Sequence, residues 1–325
     1  MRIAVVGAGA IGAYVGAALS RGGADVSLVA RGPHLEAMAR DGVVVLSERG
    51  DFTAHPEVTD DPAKIGPVDL VFLGLKAYSY ATAGPLLGPL MHEQTAVVAA
   101  QNGIPWWYFH GVAGPLANTR IESIDPGGAV SDVIAPARAI GCVVYCSTTI
   151  ERPGVIRHEE GTRFSIGEPD GSTSQRCADF SAAMIGGGLK CPVEPDLRPD
   201  IWLKLMGNIS FNPLSALTGA TMVQIARHPR ARELVVAMME ETLAIASALG
   251  AEPSVSIQRR LEGAERVGDH KTSMLMDLEA GKPLELDVIM AAPIEIAGLI
   301  GVDVPALSAV YAAVRLLADR RGGSR

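Results

Sequence analysis

The chain opens on R-I-A-V-V, Arg2 to Val6, and runs directly into G-A-G-A-I-G, Gly7 to Gly12. A short apolar strand, then glycines spaced G-x-G-x-x-G, then a helical pattern restricts the fold more than any other feature of the chain. The first glycine permits a tight turn, the second lets backbone approach a pyrophosphate, and the third lets helix pack on strand. The helix that follows, A-I-G-A-Y-V-G-A-A-L from Ala10, would offer unpaired N–H groups and the positive end of its dipole to phosphate. Gly7, Gly9, Ala10, Ile11 and Gly12 are therefore the expected dinucleotide-binding residues. A Gly-rich turn of purely structural purpose is the alternative, and the position directly after an apolar strand favours the dinucleotide.

A second strand, A-D-V-S-L-V-A from Ala24 to Ala30, completes a βαβ unit. Its end selects the cofactor, because an acid there bonds a ribose 2′-OH whereas an arginine accommodates a 2′-phosphate. The chain places Arg31 there and no acid, which favours NADP(H) over NAD(H). A solvated surface arginine is the bland reading of the same residue.

Further short apolar runs, Val68 to Leu75 and Thr95 to Ala100, predict buried strands. Ile140 to Ile150 and Gly154 to His158 predict an antiparallel pair, with Arg163 to Gly167 as a third strand and another strand at Lys190 to Glu194. After Pro195 long 3.6-period patterns take over, as from Ala231 to Gly250. The expected architecture is α/β, with a Rossmann-type dinucleotide-binding domain over residues 1–194 and an all-α domain over 195–325. The terminal R-R-G-G-S-R predicts a frayed tail.

Composition excludes several other classes. A net charge of -8 with no basic block argues against nonspecific nucleic-acid binding. The four cysteines, Cys142, Cys146, Cys177 and Cys191, show no C-x-x-C and no zinc-finger pairing with histidine, so no metal site is expected and a reducing cytoplasm fits best. Cys142 and Cys146, four apart on a predicted strand, would stand about 13 Å apart and could not bridge. Ile3 to Ser20 superficially resembles a signal peptide but is studded with glycine and has no convincing cleavage site. The uncharged stretch Gln94 to Thr119 is broken by Gly103, Pro105, Gly111, Gly114 and Pro115, which argues against a bilayer helix.

In the second half, W-L-K-L-M-G-N-I-S-F-N-P, Trp202 to Pro213, is apolar except for Lys204, Asn208 and Asn212. At 100° per residue these three drift only about 80° in total, so they form one stripe, with Ser215 in it, on a helix that should be largely buried. A lysine in such a helix is costly unless its stripe faces a polar cleft.

With the fingerprint at one end and W-L-K-L-x-x-N-x-x-x-N-P after the boundary, the sequence resembles the ketopantoate reductase (2-dehydropantoate 2-reductase) family. G-L-K-A at 74–77, Q-N-G at 101–103, P-G-V-I-R-H at 153–158, and K-T-S-M-L-x-D followed by E-L-D extend the match nearly end to end. The resemblance implies a Rossmann domain, a C-terminal domain like that of 6-phosphogluconate dehydrogenase, and a site in the cleft between them where NADPH reduces a 2-oxo acid. The first substrate to expect is ketopantoate, giving (R)-pantoate in pantothenate biosynthesis, in the cytoplasm and with a homodimer as the expected assembly.

The resemblance also assigns roles. Lys204 matches the catalytic lysine, the general acid that ketone reduction needs at the developing alkoxide. Glu285 of E-L-D matches an acid that could hold and tune it. Asn208 and Asn212 match amides that hold substrate hydroxyl and carbonyl groups, and Ser273 matches the residue that binds the substrate carboxylate. Asn102 and Lys76 match positions near the nicotinamide end of the cofactor and the substrate. Taken singly, Glu285 could cap a helix, Ser273 could cap or back-bond, and Lys76 could be surface charge. His158 matches the family pattern yet reads as structural, and Trp106-Trp107 reads as packing, with a pocket wall as the alternative.

One departure stands out: the family's E-I-D-x-I-N-G appears as E-L-D-V-I-M-A, with Met290 and Ala291 in place of Asn and Gly, and Pro293 follows where it should kink the helix. This raises a different, bulkier 2-oxo acid or an imine as the alternative substrate. A non-catalytic NADP(H) sensor is the alternative of another class, and it would have no chemical need for the Lys204 stripe.

The cofactor assignment predicts that Arg31→Asp shifts preference toward NAD(H), read as the ratio of kcat/KM for the two cofactors. An unmoved ratio would refute the 2′-phosphate argument.

Overall fold

The computed structural model describes residues 1–322 of the chain. They form two compact units: the first holds Met1–Gln101, Trp106–Arg120 and Gly127–Leu197, the second Asn102–Pro105, Ile121–Pro126 and the chain from Arg198 onward.

The first unit is built on one nine-stranded sheet. Its strands are β1 (Arg2–Val6), β2 (Asp25–Val29), β3 (Val43–Ser47), β4 (Phe52–Ala54), β5 (Glu57–Thr59), β6 (Leu70–Leu73), β7 (Ala96–Ala99), β8 (Ala139–Arg152) and β9 (Val155–Gly167). The spatial order is β4-β3-β9-β8-β7-β6-β1-β2-β5. The run from β5 to β8 is parallel, with β1 flanked by β2 and β6, which is the doubly wound arrangement whose ligands bind beyond the carboxyl ends of the strands. Helix α1 (Ala10–Arg21) crosses from β1 to β2, and its Ala13, Val15, Ala17 and Leu19 are buried with Ile3, Val5, Leu28 and Ile140 in one core. Short helices α2 (Gly32–Asp41), α3 (Gly84–Leu87) and α4 (Ala129–Val133) and the longer α5 (Gln175–Gly186) complete the unit.

Several sequence expectations change here. The predicted strands at 154–158 and 163–167 are one strand, β9, which stays paired with β8 through register shifts between Tyr145 and Ser147 and between Ser147 and Thr148. Bulges of this kind let a hairpin bend without breaking, and the sequence pattern loses its alternation where they occur. Lys190 to Glu194 makes only isolated bridges, Arg163 with Lys190 and Ile166 with Val193, because Pro192 has no N–H to continue a ladder. Strands β3 to β5 add to the expected set: β4 and β5 have three residues each and lie at the two ends of the sheet, and β3 is the apolar run V-V-V-L-S that follows α2.

The second unit is helical: α6 (Arg198–Thr218), α7 (Met222–Arg227), α8 (Pro229–Ala248), α9 (Ile257–Val267), α10 (Ser273–Glu279), α11 (Ala292–Ile300) and α12 (Pro305–Gly322). Helix α6 packs against α8, α10 and α12. The expected kink at Pro293 takes another form. Asp287–Ala291 adopts π-helical geometry and runs without a break into α11, and this widened turn directly precedes Pro293, whose ring and missing N–H a regular α-helix would not accommodate. The expected frayed tail is helical through Gly322, and residues 323–325 lie outside the described residues.

The two short segments of the first half that join this unit are fastened by named bonds. The Glu295 carboxylate on α11 accepts the Glu122 and Ser123 N–H groups at 2.7 and 2.8 Å. The Ile104 N–H donates to the Val288 carbonyl at 2.8 Å. Among the described residues no helix is long and apolar enough to cross a membrane, and no cluster of three or more His, Cys, Asp or Glu could hold a metal ion.

All four cysteines are free. Burial pushes the Cys177 and Cys191 thiols up to about 12, so neither forms thiolate near neutral pH. In native protein at pH 8, iodoacetamide should leave both unlabelled by peptide mass spectrometry and label them fully in denaturant. Native labelling at either position would contradict the packing described.

Candidate active site

In the first unit, the turn between β1 and α1 is shaped by close approach. A Cβ on Gly12 would stand 2.2 Å from the Gly7 carbonyl oxygen, and one on Gly74 would stand 2.4 Å from the same atom. No side chain fits at either place, which gives both the fingerprint and the G-L-K-A motif a steric reason. Gly9 caps α1 without any side-chain hydrogen bond, and nothing lies within 4 Å of the place its Cβ would take. No side chain of the cap residue covers the first turn of α1, where Ala10 and Ile11 stand, and the outer face of the loop is open at Gly9. This cradle fits a pyrophosphate. Lys76, half-buried, follows the end of β6 just past Gly74.

Arg31 is exposed at the end of β2, where it precedes α2. Behind it stands His34, which the sequence reading missed. Its Nδ1 accepts the Gly154 N–H at 2.9 Å, tying the start of α2 to the turn between β8 and β9. Burial holds its pKa below the ordinary histidine value, so the ring stays neutral and keeps that acceptor. A histidine next to G-P in sequence carries no signal of such a role.

In the second unit, Lys204 and Asn208 are half-buried on α6, and Asn212, one turn further, is only 5% exposed. The helix buries Trp202, Leu205, Met206, Ile209 and Phe211 around them, as its apolar composition demands. The Asn212 Nδ2 is buried and has no hydrogen-bond partner. An orphaned donor of this kind costs about 1–3 kcal/mol, a cost that a bound acceptor would remove. Ser215, in the same stripe, donates to the Ala220 carbonyl at 2.6 Å and closes the helix end instead.

Asn102 and Glu285, 183 residues apart, meet in this unit: the Asn102 Nδ2 donates to the Glu285 Oε2 at 3.3 Å. Gly103 makes the meeting possible. Its φ is +74°, and a Cβ there would stand 2.1 Å from the Val288 carbonyl oxygen, so the Q-N-G turn lies directly on the π-helical segment. The same segment packs against α6 and is held from α12 by an ion pair between Arg315 and Asp287. Glu285 is 7% exposed and directly precedes the helix that starts at Leu286, and its own carbonyl accepts the Ile289 N–H at 3.2 Å. Ser273 occupies the first position of α10, exposed, while Thr272 takes the capping role by accepting the Leu275 N–H at 3.3 Å.

His158 is structural. Its Nδ1 pairs with the Ser47 hydroxyl at 2.9 Å, Nε2 faces the Gly161 carbonyl, and the ring stacks on Tyr14 with centroids 4.9 Å apart. Trp106 and Trp107 are core residues of the first unit: Trp106 Nε1 donates to the Ile134 carbonyl at 3.0 Å, and the Trp107 ring fills the space beside Gly141.

Against this geometry, the family model described as "Ketopantoate reductase PanE/ApbA" matches residues 3–171, and "Ketopantoate reductase PanE/ApbA C terminal" matches residues 196–318. A 2-dehydropantoate 2-reductase of Mesorhizobium japonicum is 46% identical over 323 residues, covering 99% of each chain. The crystal structure of a 2-dehydropantoate 2-reductase from Geobacter metallireducens is 31% identical with a TM-score of 0.85, over 98% of this chain and 100% of that one. A D-mandelate dehydrogenase structure with NADH and anilino(oxo)acetate shares the fold at 18% identity, TM-score 0.82, over 99% of both chains.

The Gly103 contact generates a test. Gly103→Ala must adopt a left-handed conformation and displace the Val288 carbonyl, which should cost on the order of 2–4 kcal/mol. Urea unfolding should show that loss together with reduced turnover; unchanged stability would refute the close approach.

Proposed function

The chain belongs to the ketopantoate reductase family, and on that premise we propose that it reduces 2-dehydropantoate (ketopantoate) to (R)-pantoate with NADPH. The observation that carries the reading is the polar stripe of Lys204, Asn208 and Asn212 on an otherwise apolar helix, in the same unit as the Asn102–Glu285 pair.

NADPH, when bound, supplies the hydride. Gly7, Gly9, Ala10, Ile11 and Gly12 hold its pyrophosphate, Arg31 its 2′-phosphate, and Lys76 and Asn102 its nicotinamide end. The features of the first unit that support this are the open α1 N-terminus and the steric cradle around the Gly7 carbonyl.

As the ketone carbon accepts hydride, charge builds on its oxygen, and the Lys204 ammonium donates a proton there. The Glu285 carboxylate orients that ammonium, while the bond from Asn102 fixes the carboxylate's own direction. The Asn208 and Asn212 amides hold the substrate's hydroxyl and carbonyl groups, and the unpaired Asn212 Nδ2 supports this because it is a donor awaiting an acceptor. Ser273, relieved of capping by Thr272, offers its hydroxyl to the substrate carboxylate.

Met290 has no solvent exposure and packs inside the helical unit, while Ala291, the other departure from the family pattern, is half-buried. The free cysteines support a cytoplasmic setting. The net charge of -8 speaks against nucleic acid as a partner.

Lys204→Ala should lower kcat by roughly 10²–10⁴-fold while NADPH affinity, read by fluorescence titration, stays within a factor of about three. Unchanged turnover would remove Lys204 from the mechanism.

A further inference from the structure

A second cation borders the Lys204 stripe. Arg260, half-buried on α9, lies across Gly207 of α6: a Cβ on Gly207 would stand 2.3 Å from Arg260 Nη2, 2.8 Å from Nε and 2.9 Å from Cζ. Nη2, Nε and Cζ of the guanidinium thus press on one bare α-carbon, and any side chain at position 207 would expel them. The arrangement is braced from both ends of α9. The Ser256 hydroxyl caps it by accepting the Arg259 N–H at 3.3 Å, and Glu265 pairs with Arg232 of α8 at 2.7 Å.

Position fixes what this cation can reach. Gly207 is three residues after Lys204 and immediately precedes Asn208, so it sits about 4.5 Å along the helix and about 60° around from Lys204. The carboxylate of a 2-oxo acid is bonded directly to the ketone carbon, so whatever holds the carboxylate must lie within a few ångströms of the acid that protonates the ketone oxygen. A guanidinium matches a carboxylate with two parallel N–H donors, whereas a serine hydroxyl offers one uncharged donor.

We propose that Arg260 binds the carboxylate of the 2-oxo acid, admitted to the Lys204 stripe by the missing side chain at Gly207, and so makes the enzyme selective for acids over their neutral derivatives. This rests on the reductase reading above. Ser273 then contributes a supporting bond, and Lys204 is left to serve the ketone oxygen alone. Arg260→Lys is not a neutral exchange in this role, because the ammonium keeps the charge and loses the two-pronged geometry.

The test compares ketopantoate with its methyl ester in wild type, Arg260→Gln and Arg260→Lys. Arg260→Gln should lower kcat/KM for the acid roughly 10- to 100-fold, mainly through KM, and change the ester's value less than about threefold. The acid-to-ester ratio therefore collapses, with partial recovery in Arg260→Lys. Equal losses on acid and ester would mark Arg260 as merely structural and overturn the proposal, as would an unchanged ratio. Calorimetric titration of pantoate into NADP⁺-saturated protein needs no turnover and separates the two readings. If wild type binds pantoate, and Arg260→Gln binds it at least about tenfold more weakly, the carboxylate site stands even when no ketopantoate is reduced, and only the reductase reading falls. Equal pantoate affinity in the two proteins, or no binding to wild type, overturns the inference.

Discussion

A lysine placed in a helix that is apolar on nearly every face stays charged only where a carboxylate, water or a ligand meets its ammonium. That constraint organises the helical unit. Helix α6 buries Trp202, Leu205, Met206, Ile209 and Phe211 against its neighbours, and the one stripe that is not apolar carries Lys204, Asn208 and Asn212. The unit also brings in Asn102 from the first half of the chain, on a turn that lies flat on the π-helical segment because Gly103 has no side chain to hold it away. The consequence is a bond between Asn102 and Glu285 that fixes the direction of the acid.

The same principle, a missing Cβ where two pieces of backbone must touch, recurs in the first unit. Gly12 and Gly74 both approach the Gly7 carbonyl, so the phosphate turn and the end of β6 are shaped together. Each of these places appeared in the sequence as a motif glycine. For Gly12 the atom avoided lies inside the same motif, but for the other two the motif could not reveal it, since it belongs to a segment distant in sequence: Val288 for Gly103, and Gly7 for Gly74.

Legibility from sequence followed the range of the interactions. The βαβ start, the helical second half and the stripe on α6 depend on local periodicity, and they could be read directly. The hairpin of β8 and β9 was read as broken because its bulges interrupt the alternation while its pairing continues. Pro293 predicts a kink, and the helix accommodates it with a π-helical segment immediately before it. Glu295, His34 and Arg260 each act on backbone or on a glycine distant in sequence, and Arg315 pairs with an acid 28 residues away, so an isolated polar residue on a helix carries no signal of its partner. The direction of Glu285 toward Asn102 likewise needed coordinates.

The central claim is that the charged stripe on α6 serves reduction of a 2-oxo acid by NADPH. Its most direct test is the initial rate of NADPH oxidation by purified protein with ketopantoate beside a panel of larger 2-oxo acids. The account predicts rapid oxidation with ketopantoate, falling as the acid's side chain grows. NADPH left unoxidised by every acid in the panel would contradict it.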